Sequence, residues 1–177
     1  MRNRLRVVLI ALVAFVAVGS IISTLPATES NSQIPVPNPT FSDGACLNDG
    51  VTQVIDFGEH HSPIIYCATN FVGTGWDLLA QRVDVSGTDE YPTGFVCRIE
   101  GVPSAAEQDC ANTPTYKEGS WVYFVADLDS AGWVMSPAGA GMRKPGCGTS
   151  DAWVFSGSDR PERVIPSVEP TVFKCAD

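Results

Sequence analysis

Every cysteine of this chain lies downstream of its one long apolar stretch, and three arginines stand in front of that stretch. Arg2, Arg4 and Arg6 run directly into Val7–Leu25, and Cys46, Cys67, Cys97, Cys110, Cys147 and Cys175 all come after it. Positive charge ahead of an apolar run holds the N-terminus on the cytoplasmic side and sends the remainder of the chain outward. An even number of cysteines in that outer part reads as a set of disulfides, which persist where thiols are not kept reduced. This order excludes a cytosolic enzyme. It predicts a chain that enters or crosses a membrane and folds outside the cytoplasm.

The leader has two readings. Val7–Val18 fits the apolar core of a signal peptide, and Ala17-Val18-Gly19 before Ser20 is a passable cleavage triplet. A spanning helix needs about 20 apolar residues. Val7–Leu25 offers 19, although Gly19, Ser20, Ser23 and Thr24 weaken its second half. The preferred reading is a transmembrane signal-anchor over residues 1–25, meeting the lipid bilayer through residues 7–25. That makes a single-pass protein of the cell membrane; a cleaved leader would leave a secreted domain. Residues 26–42 change composition abruptly, with Pro26, Pro35, Pro37 and Pro39 among Ser, Thr and Asn. Such a segment buries too little to offset its ordering entropy, and its prolines favour an extended spacer.

Residues 43–177 are enough for one domain. Without the three leader arginines, 8 basic residues face 20 acidic ones. That balance opposes binding to nucleic acid, which needs clustered Lys and Arg. Only two histidines are present and no two cysteines are two residues apart, so zinc spacings are absent. Neither a metal nor a cofactor is expected. Chain order favours the local pairings Cys46–Cys67, Cys97–Cys110 and Cys147–Cys175, although sequence alone does not choose among the possible sets. The last pair would fasten the C-terminal tail to the loop before Trp153.

Strands dominate the outer part. Val51–Phe57 and Pro63–Cys67 read as a pair, Phe95–Glu100 alternates, and Gly132–Met135 and Ala152–Phe155 are short strands. Ser120–Ala126 is apolar on both faces and should be central. One helix is expected, with Thr74 and Asp77 as a capping box and Trp76, Leu79, Ala80 and Val83 as its apolar face. One helix across a sheet of roughly five to seven strands is an α+β domain.

Two runs then carry a family resemblance: Thr74-Gly75-Trp76-Asp77-Leu78-Leu79, and Gly94-Phe95-Val96-Cys97-Arg98-Ile99-Glu100-Gly101-Val102-Pro103. With Trp121-Val122-Tyr123-Phe124, Gly132-Trp133-Val134, Ser136–Gly141 and Trp153 following in order, residues 50–156 resemble the transcobalamin-like C-terminal domain family. The likeness is greatest to its small actinobacterial extracytoplasmic members, membrane-anchored or secreted. The resemblance implies a β-grasp-like sheet and a non-catalytic role. In cobalamin carriers such a domain covers one face of the corrinoid. Cys147, Cys175 and the tail from Ser156 depart from that pattern.

No cluster of residues announces a reaction. His60 and His61 sit in a polar turn. Gly139-Ala140-Gly141 with Arg143 and Lys144 resembles an anion cradle, but Pro145 and Gly146 forbid the helix that would complete it. Asp127 and Asp129 read as turn residues rather than a catalytic pair. The tryptophans read mainly as core. Trp133, beside Gly132, is the one most readily placed on the surface, where Tyr123, Ser136 and Arg143 would complete a recognition patch. The expectation is a non-enzymatic, membrane-tethered binding module, an accessory subunit of a larger transport or respiratory membrane protein complex. The alternative is an extracytoplasmic protein that captures a corrinoid-like or other small-molecule ligand.

Overall fold

Alternation along the strands divides this domain into two unlike halves, one on each side of a single sheet. The computed structural model describes residues 38–157 and 164–176. The expected anchor and most of the expected linker lie outside the described residues. In chain order the elements are β1 (Thr40–Asp43), β2 (Val51–Asp56), β3 (Ile64–Thr69), α1 (Gly75–Ala80), β4 (Val85–Gly87), β5 (Val96–Ile99), β6 (Ser120–Ala126), β7 (Val134–Met135) and β8 (Ser150–Ser156). Six of the strands form a mixed sheet in the order β1-β3-β2-β8-β6-β7, while β4 and β5 form a separate antiparallel ribbon. Strands β2 and β8 run parallel at the centre and the other pairs are antiparallel. The domain is mostly sheet with one small helix, as the strand-rich sequence requires.

Strands β2 and β6 are buried at every position. This fits strands covered on both faces. On the first side, Ile55, Phe57, Tyr66, Trp121, Tyr123, Val125 and Trp153 meet Leu79 of α1, Val96 and Ile99 of β5, and Ala140. This is the helix face. On the second side, Val54, Val122, Phe124, Ala152 and Val154 meet Trp133, Val164 and Val168. A tail without regular secondary structure crosses here, so this is the strap face.

The capping box forms as expected: Asp77 N donates to Thr74 Oγ1 at 3.2 Å and Thr74 N donates to Asp77 Oδ2 at 2.8 Å. The hydrogen bonds from Thr74 hold the Asp77 carboxyl below its ordinary value. The expected apolar stripe forms in part: Trp76, Leu79 and Val83 pack into the helix-face core. The helix has six residues, so Val83 lies past its end; Ala80 is exposed, and Leu78 is buried beside Leu79. Strand β1 also claims Thr40–Asp43, which overlaps the end of the expected linker. Its Phe41 packs on Tyr66, with ring centroids 5.8 Å apart.

The disulfides are Cys46–Cys67, Cys97–Cys110 and Cys147–Cys175, the chain-order solution. They fit an oxidising environment outside the cytoplasm. Inside the second loop, Arg98 donates to the carbonyls of Pro103 and Gln108, both at 2.6 Å. The third bridge ends the tail, whose backbone is tied down along its length. Ser167 N donates to Asp56 Oδ2 at 2.7 Å, Ser150 Oγ donates to Thr171 O at 2.6 Å, and Phe173 N donates to Gly148 O at 3.1 Å. Gly148 has a φ of +79° and a Cβ there would collide with Phe173 O, so no side chain fits.

Candidate functional site

The pleat of β8 turns Asp151 and Trp153 to the helix face, opposite Gln53 of β2 and Tyr123 of β6 respectively. Asp151 has no exposed surface. A buried carboxylate needs paired partners. The Tyr123 hydroxyl donates to Asp151 Oδ2, and the Arg143 guanidinium comes within 3.5 Å of Oδ1. The same guanidinium forks onto Asp127 at 2.6 and 3.1 Å. Burial pushes the Asp151 carboxyl up to about 6, against the pull of Tyr123 and Arg143. Burial and the neighbouring Asp151 also raise the Tyr123 phenol well above its ordinary value. Burial works against the charge on Arg143, but its bond to Asp127 and the charge of Asp151 raise it overall. Tyr123 and Arg143 therefore stay protonated at neutral pH.

This network locks the 136–143 loop to the sheet, and the loop in turn holds the helix. Gly75 N donates to Arg143 O at 2.9 Å and Trp76 N to Ala140 O at 3.2 Å, which satisfies N-terminal donors of α1. Gly75 lies directly over the Tyr123 hydroxyl, where a Cβ would collide with the phenol oxygen and stand 3.2 Å from Asp151 Oδ2. Glycine is required there by space rather than by backbone angle.

Beside this lock a cavity of about 230 Å3 opens between the 136–140 loop and the start of β5. Trp121, Tyr123 and Trp153 line it from the sheet, with Phe95 and Tyr116 among its other walls. Tyr123 stacks on Trp153 with ring centroids 4.7 Å apart. The rim is apolar and open: Tyr116 and Met135 line it at 43 % and 39 % exposure. Two larger depressions carry less meaning. One of about 460 Å3 is walled by polar loop residues from Ala105 to Glu118. Another of about 770 Å3 lies beside His60 and His61 and is bounded by Val154, Phe155, Val164 and Ser167.

Of the expected patch, Tyr123 and Ser136 do line the cavity. Arg143, expected in the patch, stands behind it, bound to Asp127 and Asp151, so its guanidinium is not offered to an outside group. Trp133 is corrected. Pairing of Val134 with Val125 fixes the parity of β7 and turns the preceding residue to the strap face. There the Trp133 indole N–H donates to Val168 O at 2.6 Å and the ring packs beneath the tail. Asp127 closes a turn, accepting from Ser130 N at 2.9 Å, as the turn reading required. His60 and His61 stay exposed; His61 lies on Phe57 with ring centroids 3.6 Å apart. Among the described residues the one cluster of metal-ligand type is Asp49, Cys147 and Cys175, and its sulfurs are consumed by a disulfide.

Asp151 was not among the expected site residues. Its signal is an acid at the mouth of an apolar strand, with one arginine in a loop of small residues just upstream. Comparison with family models, curated proteins and solved structures finds no match for this chain.

Proposed function

We propose that this protein is a non-catalytic interaction module, tethered to the cell membrane by residues 7–25, with its domain outside the cytoplasm. In this reading it serves as an accessory subunit of a larger membrane assembly for transport or respiration. The observation that carries it is the aromatic-floored cavity with an exposed apolar rim. A pocket that takes a central anchor, ringed by apolar contacts, is the anatomy of a protein-binding hot spot. The experiment is isolation from native membranes with intact-mass measurement of the chain. Recovery in a defined complex, with residues before Ser20 retained, supports the reading; a soluble chain starting at Ser20 or later defeats the tether.

A second reading is an extracytoplasmic ligand-binding protein of the transcobalamin-like kind. It is favoured by connectivity: hairpin β2–β3, then the helix, then β6 and a β8 that returns parallel to β2 between them, the strand order of a β-grasp. A corrinoid would have to lie across the rim, because about 230 Å3 is below the roughly 300–1,000 Å3 of pockets that enclose larger ligands. A coloured compound retained through purification would favour this reading over the first.

A further inference from the structure

We infer that the cavity on the helix face is the seat for one aromatic side chain of a protein partner, carried on a segment rich in Lys and Arg. This rests on the interaction-module reading and names what that module grips. Three observations lead to it.

The first is size. The cavity holds about 230 Å3. An apolar cavity of about 150 Å3 accepts benzene, and ligands of drug size need roughly 300 Å3 or more. One ring fits, and a larger body does not.

The second is chemistry. The polar side chains of the floor and the Ser136 hydroxyl are spent or sealed. Tyr123 donates to Asp151, Trp121 Nε1 to Val102 O at 3.1 Å, and Ser136 Oγ to Ala138 O at 2.7 Å. Trp153 Nε1 is buried out of solvent contact. What remains on the floor is the surface of rings and small apolar groups, which suits offset or edge-to-face stacking by another ring, with the Tyr116 hydroxyl as a polar group at the mouth.

The third is charge. The outer part carries 20 acidic residues against 8 basic ones. Glu118 stands two residues from Tyr116 on the rim, with Lys117 between them, and its carboxylate accepts from Thr115 N and Oγ1. Glu90 adjoins Tyr91, whose Cβ lies 3.5 Å from where a Gly94 side chain would begin. A cationic segment is therefore drawn to this domain and an anionic one repelled.

Gly139 supplies the test. It lines the cavity, a Cβ added to it meets nothing within 4 Å, and its φ lies outside the left-handed region. Gly139→Trp should fill the cavity and leave the fold intact; if it does not fold, Ala138→Leu takes its place. The full chain in nanodiscs, labelled with 5-fluorotryptophan, is titrated with acetylated, amidated Lys-Lys-Phe-Lys-Lys while fluorine resonances are followed. Trp121 and Trp153 should shift while Trp133 stays. Replacing the peptide's Phe by Ala, its lysines by Glu, or the protein by the filled variant should each weaken binding by about tenfold or more. Equal binding of the Phe and Ala peptides, shifts confined to Trp133, or free indole binding as tightly as the peptide would each overturn the inference. So would changes that depend only on protein concentration, which would mark self-association. The underlying reading is tested separately. If wild type and Gly139→Trp are both recovered in one native membrane complex, the interaction module stands and this seat falls. If neither is recovered in a complex, the module itself falls.

Discussion

The two faces of the sheet are closed by different means. The helix face is covered by folded elements, namely α1, the β4–β5 ribbon and the 136–143 loop, and a buried ionic network around Asp151 holds the loop and through it α1. The strap face is covered by a tail without regular structure, held by hydrogen bonds to the sheet and by Cys147–Cys175. The helix or ribbon brings its own backbone hydrogen bonds to the interface. An irregular tail has to find partners in the sheet for its polar groups. Asp56, Ser150 and Gly148 supply them, and the disulfide limits how far the tail can wander when unfolded. The aromatic-floored cavity opens on the helix face, whereas the depression of about 770 Å3 borders the tail on the strap face at Val154, Val164 and Ser167.

The largest expected effect tests whether the strap face is true core. Phe124 is 1 % exposed. Phe124→Ala should cost about 3–5 kcal/mol, measured by denaturant unfolding. A cost below about 1 kcal/mol would mean that the tail collapses into the space and is a loose cover.

Replacing Cys147 and Cys175 by serine comes next. The bridge closes a separation of 28 residues and the Cys97–Cys110 bridge one of 13. On chain entropy alone the first is worth about 3–4 kcal/mol and the second about 3. The strap variant should also bind an apolar dye, because removing the bridge lets the tail lift; the Cys97→Ser/Cys110→Ser variant should not.

The smallest effect sharpens the other face. Burial raises Asp151 from 3.8 to about 6, so between these values the folded chain holds a proton that the unfolded chain has lost. Stability should therefore decline as pH rises through that window, by about 2–3 kcal/mol, and level off above it. Asp77 is lowered by its bonds from Thr74 and acts oppositely, losing its contribution only as pH falls below the ordinary carboxylate range. Asp151→Asn should flatten the decline between pH 4 and pH 6 in a series of unfolding curves. An unchanged decline would assign it to another group.

Local rules made much of this legible. Alternation and apolar runs located β2, β3, β5, β6, β7 and β8, Thr74 and Asp77 marked the helix start, and chain order ranked the disulfides correctly. The rest depends on side chains far apart in sequence. The bulge between Ser86 and Gly87 in β4 leaves three strand residues, too few to show a period. Trp133 looked like a surface residue because glycine precedes it, but strand parity and the tail, joined some 35 residues later, cover it. Arg143 looked available because its partner Asp151 sits in a strand and Asp127 in a turn; neither is a helix or hairpin neighbour.

Fluorine spectra of the four tryptophans test the separate closure of the faces most directly. Trp121 and Trp153 report the helix face, Trp133 the strap face, and Trp76 the helix. In the Cys147→Ser/Cys175→Ser variant, the Trp133 resonance should move or broaden while those of Trp121 and Trp153 hold their positions. If all four resonances change together, or if Trp133 alone is unmoved, the two faces are not closed independently and the division between them is wrong.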